Sequence, residues 1–482
     1  MRLAILISAS VMCLSGCANL GSLSKIKPEA TIAAAQEALP QKQIWDETAP
    51  QDLPTTDWIG SFSDPALVSL VNEALEANTN IRAAAQRLEA AQQRRVISRA
   101  DRLPNVTTSS RVTRTESSLP FQTPNNLSSG VSAAWEADLW GRISDQVKIS
   151  ELNLEATNAD YAGARLSIAG QVTQGWFDII EARLLTELSD RDVETLERSL
   201  RLTQRRFEGG VVGSSDVRLA RSSLADAKAL KATREQRLSA LTRNLEVLLR
   251  RYPSEELEAA RDLPVLPPLS GAGTPGYVLR KRPDLLAAES RMKAQGYQID
   301  IARKGLLPRL NLTANGNLSS TEFSEFFDID SLAMQLIAGV TGPIYQGGRI
   351  RADIKQQQAL LAEQLENYAG TALNAYLEVE NALDAEDRLL ERETALRVSL
   401  NEAQKAEDRL ELRYTEGLAT ILQLHDAQSR RISAEGQLIS ARKERLANRV
   451  RMHIALGGGF ESDLGPSTYA VAGINTNDGV TP

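Results

Sequence analysis

Apolar residues recur at mostly three, four or seven along residues 66–102, at Leu67, Val71, Leu75, Ile81, Leu88 and Ala91. That spacing predicts a helix with one buried stripe. Asp64-Pro65 ahead of it offers a capping carboxylate and a first-turn proline, and Leu103-Pro104 ends it. From Asn105 the period falls to two. Val131, Ala133, Trp135, Ala137 and Leu139 share one parity, while Ser132, Glu136 and Asp138 take the other, as in a strand with one apolar and one wet face. Residues 105–139 are therefore expected to form a hairpin, with Pro120, Pro124 and Asn125-Asn126 in a long turn. A second hairpin at 309–341 is clearer. Leu310, Leu312, Ala314, Gly316 and Leu318 alternate with Asn311, Thr313, Asn315 and Asn317, and Leu332, Met334, Leu336, Ala338 and Val340 form the returning stripe. Between and after the hairpins run stretches almost free of proline: 141–207, 217–252, 277–307, 348–414 and 421–456. A continuous helix over 142–205 would measure roughly 95 Å. Helices of that length belong to coiled coils, bundles and tubes, and most of their charges read as solvated faces laced by i,i+4 ion pairs.

The chain also repeats itself. Arg206-Phe207-Glu208-Gly209-Gly210 is matched by Arg413-Tyr414-Thr415-Glu416-Gly417 at a shift of 207 residues, and the same shift carries Gly141-Arg142-Ile143 onto Gly348-Arg349-Ile350. Leu103-Pro104 answers to Leu307-Pro308 at a shift of 204. Each half thus runs helix, hairpin, very long helix, glycine turn, helix. The organisation expected is a leader over 1–16, an extended segment over 17–60, a first repeat over 61–263, a proline-rich join over 264–276, a second repeat over 277–460 and a tail over 461–482.

Composition narrows the function classes. The 482 residues are 42% hydrophobic and 24% charged, which excludes simple disorder. A net charge of −7 gives no electrostatic reason to expect nucleic acid as a partner. Two Cys and two His are too few for a cysteine-rich zinc cluster or a disulfide scaffold. No phosphate loop, dinucleotide glycine pattern, HExxH or nucleophile elbow stands on a strand–turn–helix frame, so the chain is not expected to be an enzyme or to carry a metal or cofactor.

The amino terminus reads as an address. Arg2 is followed by an apolar run from Leu3 to Leu14, too short to span a membrane comfortably. The run ends in Leu14-Ser15-Gly16-Cys17, which resembles a bacterial lipobox with Cys17 as the lipidated first residue of the mature chain. The resemblance implies an N-palmitoyl and S-diacylglycerol cysteine, and the absence of Asp at the second mature position implies export to the outer membrane. Four half-polar strands in such a chain pose a problem, because open sheet edges are not tolerated in hydrocarbon and closed barrels need about eight strands or more. Three copies would supply twelve strands.

Together with the lipobox, three sets of residues resemble the outer-membrane efflux channel family, in particular the lipoprotein outer channels of tripartite resistance-nodulation-division exporters. They are Trp58-x-x-x-Phe62-x-Asp64-Pro65-x-Leu67; Arg282-Pro283-Asp284-Leu285 with Glu289; and Arg413-Tyr414-x-x-Gly417 with Asp426-Ala427-Gln428. The closing Ala455-Leu456-Gly457-Gly458-Gly459 is also similar. The fold implied is mostly α with a transmembrane β-barrel: duplicated helix, hairpin and long-helix repeats forming a trimeric 12-stranded barrel and a periplasmic α-helical barrel. The function implied is passive conduction of small toxic compounds from an inner-membrane pump and a periplasmic adaptor to the exterior, through a homotrimer embedded in outer-membrane lipid.

Within that resemblance, Asp426 matches the acidic ring at the closed periplasmic tip and Leu422 its apolar companion. Their separation of four places both on one helix face. Three carboxylates around an axis repel unless ion pairs hold them, and Arg413, Arg430 and Arg431 are the candidate partners. Asp216, with Arg218, is the weaker counterpart in the first repeat, and His425 points to a different face from Asp426. The turns at Gly210 and Gly417 are the expected adaptor contacts. Arg282-Pro283-Asp284 is expected to start a helix rather than to bind substrate. Trp135, Trp140 and Tyr345 suit an interfacial belt or the junction of barrel and tube. Two rival readings are a nontransporting helical lipoprotein scaffold or adaptor, and the outer duct of a type I protein-secretion system.

Overall fold

The computed structural model describes residues 45, 57–114, 126–269, 271–320, 326, 328 and 332–458. Cys17, the leader, the tail and most of the first hairpin's turn lie outside the described residues.

The elements in chain order are α1 (Pro65–Ala77), α2 (Thr79–Ala100), β1 (Asn105–Thr113), β2 (Asn126–Ala137), α3 (Arg142–Glu208), α4 (Ser214–Leu248), α5 (Pro275–Lys281), α6 (Pro283–Lys304), β3 (Arg309–Ser320), β4 (Leu332–Thr341), α7 (Arg349–Thr415) and α8 (Ile421–Ala455). The duplication is literal in these bounds. Helices α3 and α7 both hold 67 residues, α4 and α8 both hold 35, and each member of the second pair begins and ends 207 positions after its counterpart. Helices α2 and α6 hold 22 residues each. Among the described residues no helix is both long and apolar enough to cross a membrane.

One expected helix is broken in two, and a second proline-poor run divides where Arg282-Pro283-Asp284 is expected to start a helix. The run over 66–102 stops at Asn78, whose buried Oδ1 accepts from the Asn80 and Ile81 amides at 2.9 and 3.4 Å. Its Nδ2 donates to the Leu248 carbonyl at 2.7 Å. An asparagine that satisfies the next helix start and a distant helix end competes successfully with helix continuation. The run over 277–307 divides at Arg282-Pro283, where Pro283 opens α6 because it needs no amide partner in a first turn. The Asp64 cap forms as expected, with Oδ1 accepting from the Ala66 and Leu67 amides at 3.0 and 3.2 Å. Its Oδ2 also accepts from Trp176 Nε1 at 2.8 Å.

The compact units cut across the sequence repeats. One unit comprises the described parts of Arg87–Asn158 and Ala287–Gly370; the other comprises those of Gln41–Gln86, Ala159–Leu286 and Thr371–Pro482. The first unit holds the sheet, an antiparallel meander in the order β1-β2-β3-β4. Helix starts are fastened beneath it: Asp138 accepts from the Ile143 and Ser144 amides at 3.0 and 2.8 Å, and Lys304 bonds the Gly141 carbonyl and Asp145.

The second unit is helical, and its core explains the tryptophan motif. Trp58 stacks on His453 at 5.6 Å and meets Phe62 edge-on at 6.4 Å, while Phe62 meets Phe177 at 5.2 Å. Trp58, Phe62, Leu67, Trp176 and Phe177 are all essentially inaccessible to solvent. Arg282 is nearly as deep and donates to Asp284 at 3.1 and 2.8 Å, to Glu378 at 2.5 Å and to the Ala455 carbonyl at 3.1 Å. The arginine of that motif therefore ties α6, α7 and the end of α8 together.

Candidate functional site

The two glycine turns share one construction. At the end of α3 the Val211 amide donates to the Arg206 carbonyl and that of Gly210 to Phe207; at the end of α7, Leu418 donates to Arg413 and Gly417 to Tyr414. This crossed pair of bonds closes a helix on a residue of positive φ, and Gly210 and Gly417 have φ of 72° and 82°. Without a Cβ both adopt that conformation at no steric cost. Thr420 then starts α8 with a full capping box, its hydroxyl accepting from the Gln423 amide and Gln423 reaching back to the Thr420 amide.

The second turn is anchored inward. Tyr414, Ile421 and Leu424 are buried together against Leu202 and Leu410. The Tyr414 hydroxyl lies 2.9 Å from Thr203 Oγ1, and the Arg206 guanidinium sits 4.6 Å from the ring centroid while bonding the Tyr414 carbonyl. The opposite face of α8 points outward. Leu422 is 65% exposed, and Asp426, one turn on, is also exposed and accepts from Arg430 Nε at 2.9 Å. The remaining tip residues named from sequence do other things. Arg413 donates to the Leu418 carbonyl at 3.4 Å and so braces its own turn. Asp216 receives the Ser215 hydroxyl at 3.4 Å. Arg431 is turned away from Asp426 and is held by Asp192, Glu407 and Glu435. His425 is half-buried, and burial holds its imidazole below the ordinary histidine range, opposed by its hydrogen bond to Gln428.

The sheet supplies a second functional surface. Its register aligns Val106, Val112, Leu127, Val131, Ala133 and Trp135 with Leu310, Leu312, Ala314 and Leu318, and these with Leu332, Met334, Leu336, Ala338 and Val340. One face is therefore mainly apolar, interrupted by Thr108, Ser110, Ser129 and Ser320, and Met334 and Leu336 remain 83% and 81% exposed on it. The other face carries Asn105, Thr107, Ser109, Ser128, Ser132, Asn311, Thr313, Asn315, Asn317 and Gln335, together with Arg111 and Arg309. Neighbouring strands on it are linked by side chains, as where Ser132 donates to Asn315 at 2.7 Å. Its carboxylate, Glu136, is neutralised by Nε and Nη2 of Arg142 at 3.1 and 3.0 Å. Strands β1 and β4 each pair on one side only. Trp135 donates to the Arg102 carbonyl at 2.9 Å and Trp140 to that of Pro308 at 2.6 Å, which fixes both rings at the helix-side end of the strands, while Tyr345 is exposed.

The Arg431 cluster and the Trp176–Asp64 bond escaped sequence reasoning. Their partners lie 239 and 112 residues apart, and no local spacing encodes such a pairing.

Comparison with known proteins gives a consistent answer. The family model described as outer membrane efflux protein matches residues 70–249 and 275–458. The chain is 28% identical over 445 residues to the outer membrane protein OprJ of Pseudomonas aeruginosa, covering 88% of this chain and 91% of that protein. It is 25% identical over 466 residues to the probable outer membrane lipoprotein SilC of Salmonella typhimurium, covering 95% and 99%. Among solved structures, the outer-membrane channel OprN superposes with a TM-score of 0.79 at 27% identity, covering 87% of this chain and 95% of that one.

Proposed function

Because the chain belongs to the outer membrane efflux protein family, we propose a residue-level account of how it builds, anchors and gates its duct. The protein is an outer-membrane channel, the exit duct of a tripartite efflux system, and is not an enzyme. Channels of this type act as trimers with a periplasmic adaptor and an inner-membrane pump.

The observation that carries the account is the four-stranded meander with one apolar face, one polar face and two open edges. An apolar face of this kind is stable against lipid, and open edges are not. Closure by three copies pairs β4 of one with β1 of the next. The even number of strands per chain keeps every junction antiparallel, and the polar face becomes the wall of an aqueous lumen. A wall mostly of Ser, Thr and Asn, with Arg111 and Arg309 as its cationic members, presents many donors and acceptors, which suits small toxic compounds of varied structure. The lipobox at Cys17 fits N-palmitoyl and S-diacylglycerol anchoring, and the chain's likeness to a probable outer membrane lipoprotein agrees with it.

Leu422 and Asp426 form the periplasmic gate in this account: an apolar and an acidic ring, one helical turn apart, on the face of α8 that the protomer leaves uncovered. Arg430 partly neutralises the acidic ring, and the turns at Gly210 and Gly417 meet the adaptor. The partner pump belongs to the resistance-nodulation-division class. Single-channel recording from the mature trimer in planar bilayers tests the gate. Asp426→Ala removes the ring charge and is expected to change the open probability of otherwise similar pores. Unchanged opening would remove Asp426 from the gate.

A further inference from the structure

Where the strands meet the helices, the first unit contains a cavity of about 870 Å³, a size ordinary for a small-molecule site. Its wall comes from the end of α6, the start of β3, the end of β4 and the first turns of α7, with Arg142 at the start of α3. Arg309 and Thr341, which line it, are register partners on the polar face of the sheet. Arg142 reaches Glu136 on the same face. The cavity therefore lies on the side that becomes the lumen wall, at the helix-side end of the strands. Its floor is braced where Gln295 Nε2 of α6 donates to the carbonyl and side-chain oxygens of Gln357 of α7, at 3.1 and 2.9 Å.

Three guanidinium groups and one carboxylate line this space. Arg142 is committed to Glu136 at 3.0 Å. Arg349 is oriented but not neutralised, because its Nε and Nη2 both donate to the side-chain oxygen of Gln346, at 3.2 and 2.7 Å. Among the described residues no carboxylate pairs with Arg309 or Arg349, and Asp353 accepts instead from Gln357 at 3.2 Å. The amino-terminal turn of α7, which carries no acidic residue, borders the cavity, and the positive end of its dipole favours anions there. Ile301, Leu307 and Ile350, all half-buried, give the wall an apolar part.

We propose that this cavity is a binding site for organic anions: Arg309 and Arg349 receive a carboxylate, sulfonate or phosphate head, and Ile301, Leu307 and Ile350 take the apolar body. Three copies then ring the duct where the helical tube passes into the barrel. The proposal deepens the exit-duct reading by naming a cargo class, and it rests on that reading for its place in the lumen. A guanidinium offers an oxyanion two parallel donors. Two of them, one from the start of β3 and one from the start of α7, hold such a head from separate elements. Rings of arginine are the device by which pores favour anions, and uncharged or cationic compounds gain nothing from them.

The probe is pyrenetetrasulfonate, an aromatic polyanion too hydrophilic to enter micelles, read by fluorescence anisotropy on the mature lipidated trimer in neutral detergent. Saturable binding, one probe per protomer, is expected. Arg309→Ala and Arg349→Ala should each weaken it roughly tenfold or more, through the loss of one charge-assisted contact. Arg111→Ala removes the same charge from the same face towards the far end of the sheet and should leave binding within about twofold, because salt screens that distance. If Arg349→Ala fails to assemble, Arg309→Ala decides, since that side chain has no partner to lose among the described residues. Added on the barrel side of a planar bilayer, the same probe should block wild-type current, and Arg309→Ala should relieve the block. Absent or non-saturable binding, or equal weakening by Arg111→Ala, would overturn the site; binding without block would overturn its place in the lumen. Conducting trimers that ignore the probe refute the inference and leave the exit duct standing, whereas folded trimers that never conduct refute the duct and the lumen placement with it.

Discussion

Truncating Tyr414 isolates what holds the α7–α8 turn in place. The side chain is 1% exposed, and its ring packs with Ile421 and Leu424 beneath Arg206. Tyr414→Phe removes only the hydroxyl, and Thr203 keeps its bond to the Ser199 carbonyl at 2.8 Å. The expected cost is that of one net hydrogen bond, about 1 kcal/mol, or roughly fivefold in the local opening equilibrium. Tyr414→Ala also removes the ring, at about 3–5 kcal/mol for a buried aromatic, plus about 0.5–2 kcal/mol for the cation–π contact. The amides of Gly417 and Leu418, which donate to the carbonyls of Tyr414 and Arg413, should then exchange at least about a hundredfold faster. Hydrogen exchange read by mass spectrometry on the detergent-solubilised trimer, over peptides spanning 414–424, measures both. An internal control lies 207 positions earlier, where Phe207 is 45% exposed. Phe207→Ala should loosen its own turn far less than Tyr414→Ala loosens its counterpart. Equal effects at the two turns, or no acceleration in Tyr414→Ala, would refute the claim that burial of this ring sets the tip.

Three further outcomes are expected. Met334→Arg, on the apolar face of the sheet, should cost about 2–4 kcal/mol per copy if it lies near the bilayer midplane and abolish detergent-resistant trimers, whereas Asn315→Arg on the polar face should leave them; equal loss would refute the assignment of faces. Arg282→Ala should destabilise the trimer by about 2–3 kcal/mol, read as a lower melting temperature and less than for a fully buried pair because Asp284 and Glu378 are half exposed. Arg282→Lys should recover only part of this, since an ammonium cannot reproduce the fork. Cys17→Ala should abolish incorporation of labelled palmitate while the chain still reaches the periplasm, and continued labelling would show that the lipid sits elsewhere.

Much of the fold was legible because it is written in short-range patterns. Period-two alternation gave the hairpins at 105–139 and 309–341, and the twice-used glycine turn revealed the 207-residue duplication that α3 with α7 and α4 with α8 then reproduce. Local signals also misled. Asn78 read as an ordinary helical position, because the Leu248 carbonyl that fixes it lies 170 residues away. The pairing of β2 with β3, which joins the two repeats into one sheet, has no sequence signature, since alternation says that a strand is half-wet and not which neighbour it chooses. At the tip, spacing placed Leu422 and Asp426 on one face and Arg430 beside Asp426. Spacing could not reveal that Arg431, the next residue, serves Asp192 and Glu407 instead, because helical periodicity assigns a face and not its occupant.

The two open edges of the meander have a consequence for heredity. A protomer that cannot close its own barrel has no membrane-stable form alone, so the unit on which selection acts is the set of three. A variant that still pairs its edges but fails at the tip enters mixed assemblies and disables normal copies with it. With equal expression and random mixing, only about one-eighth of trimers would be wholly normal. Gate mutations in this chain should therefore behave as dominant, and mutations that destroy β1 or β4 as recessive.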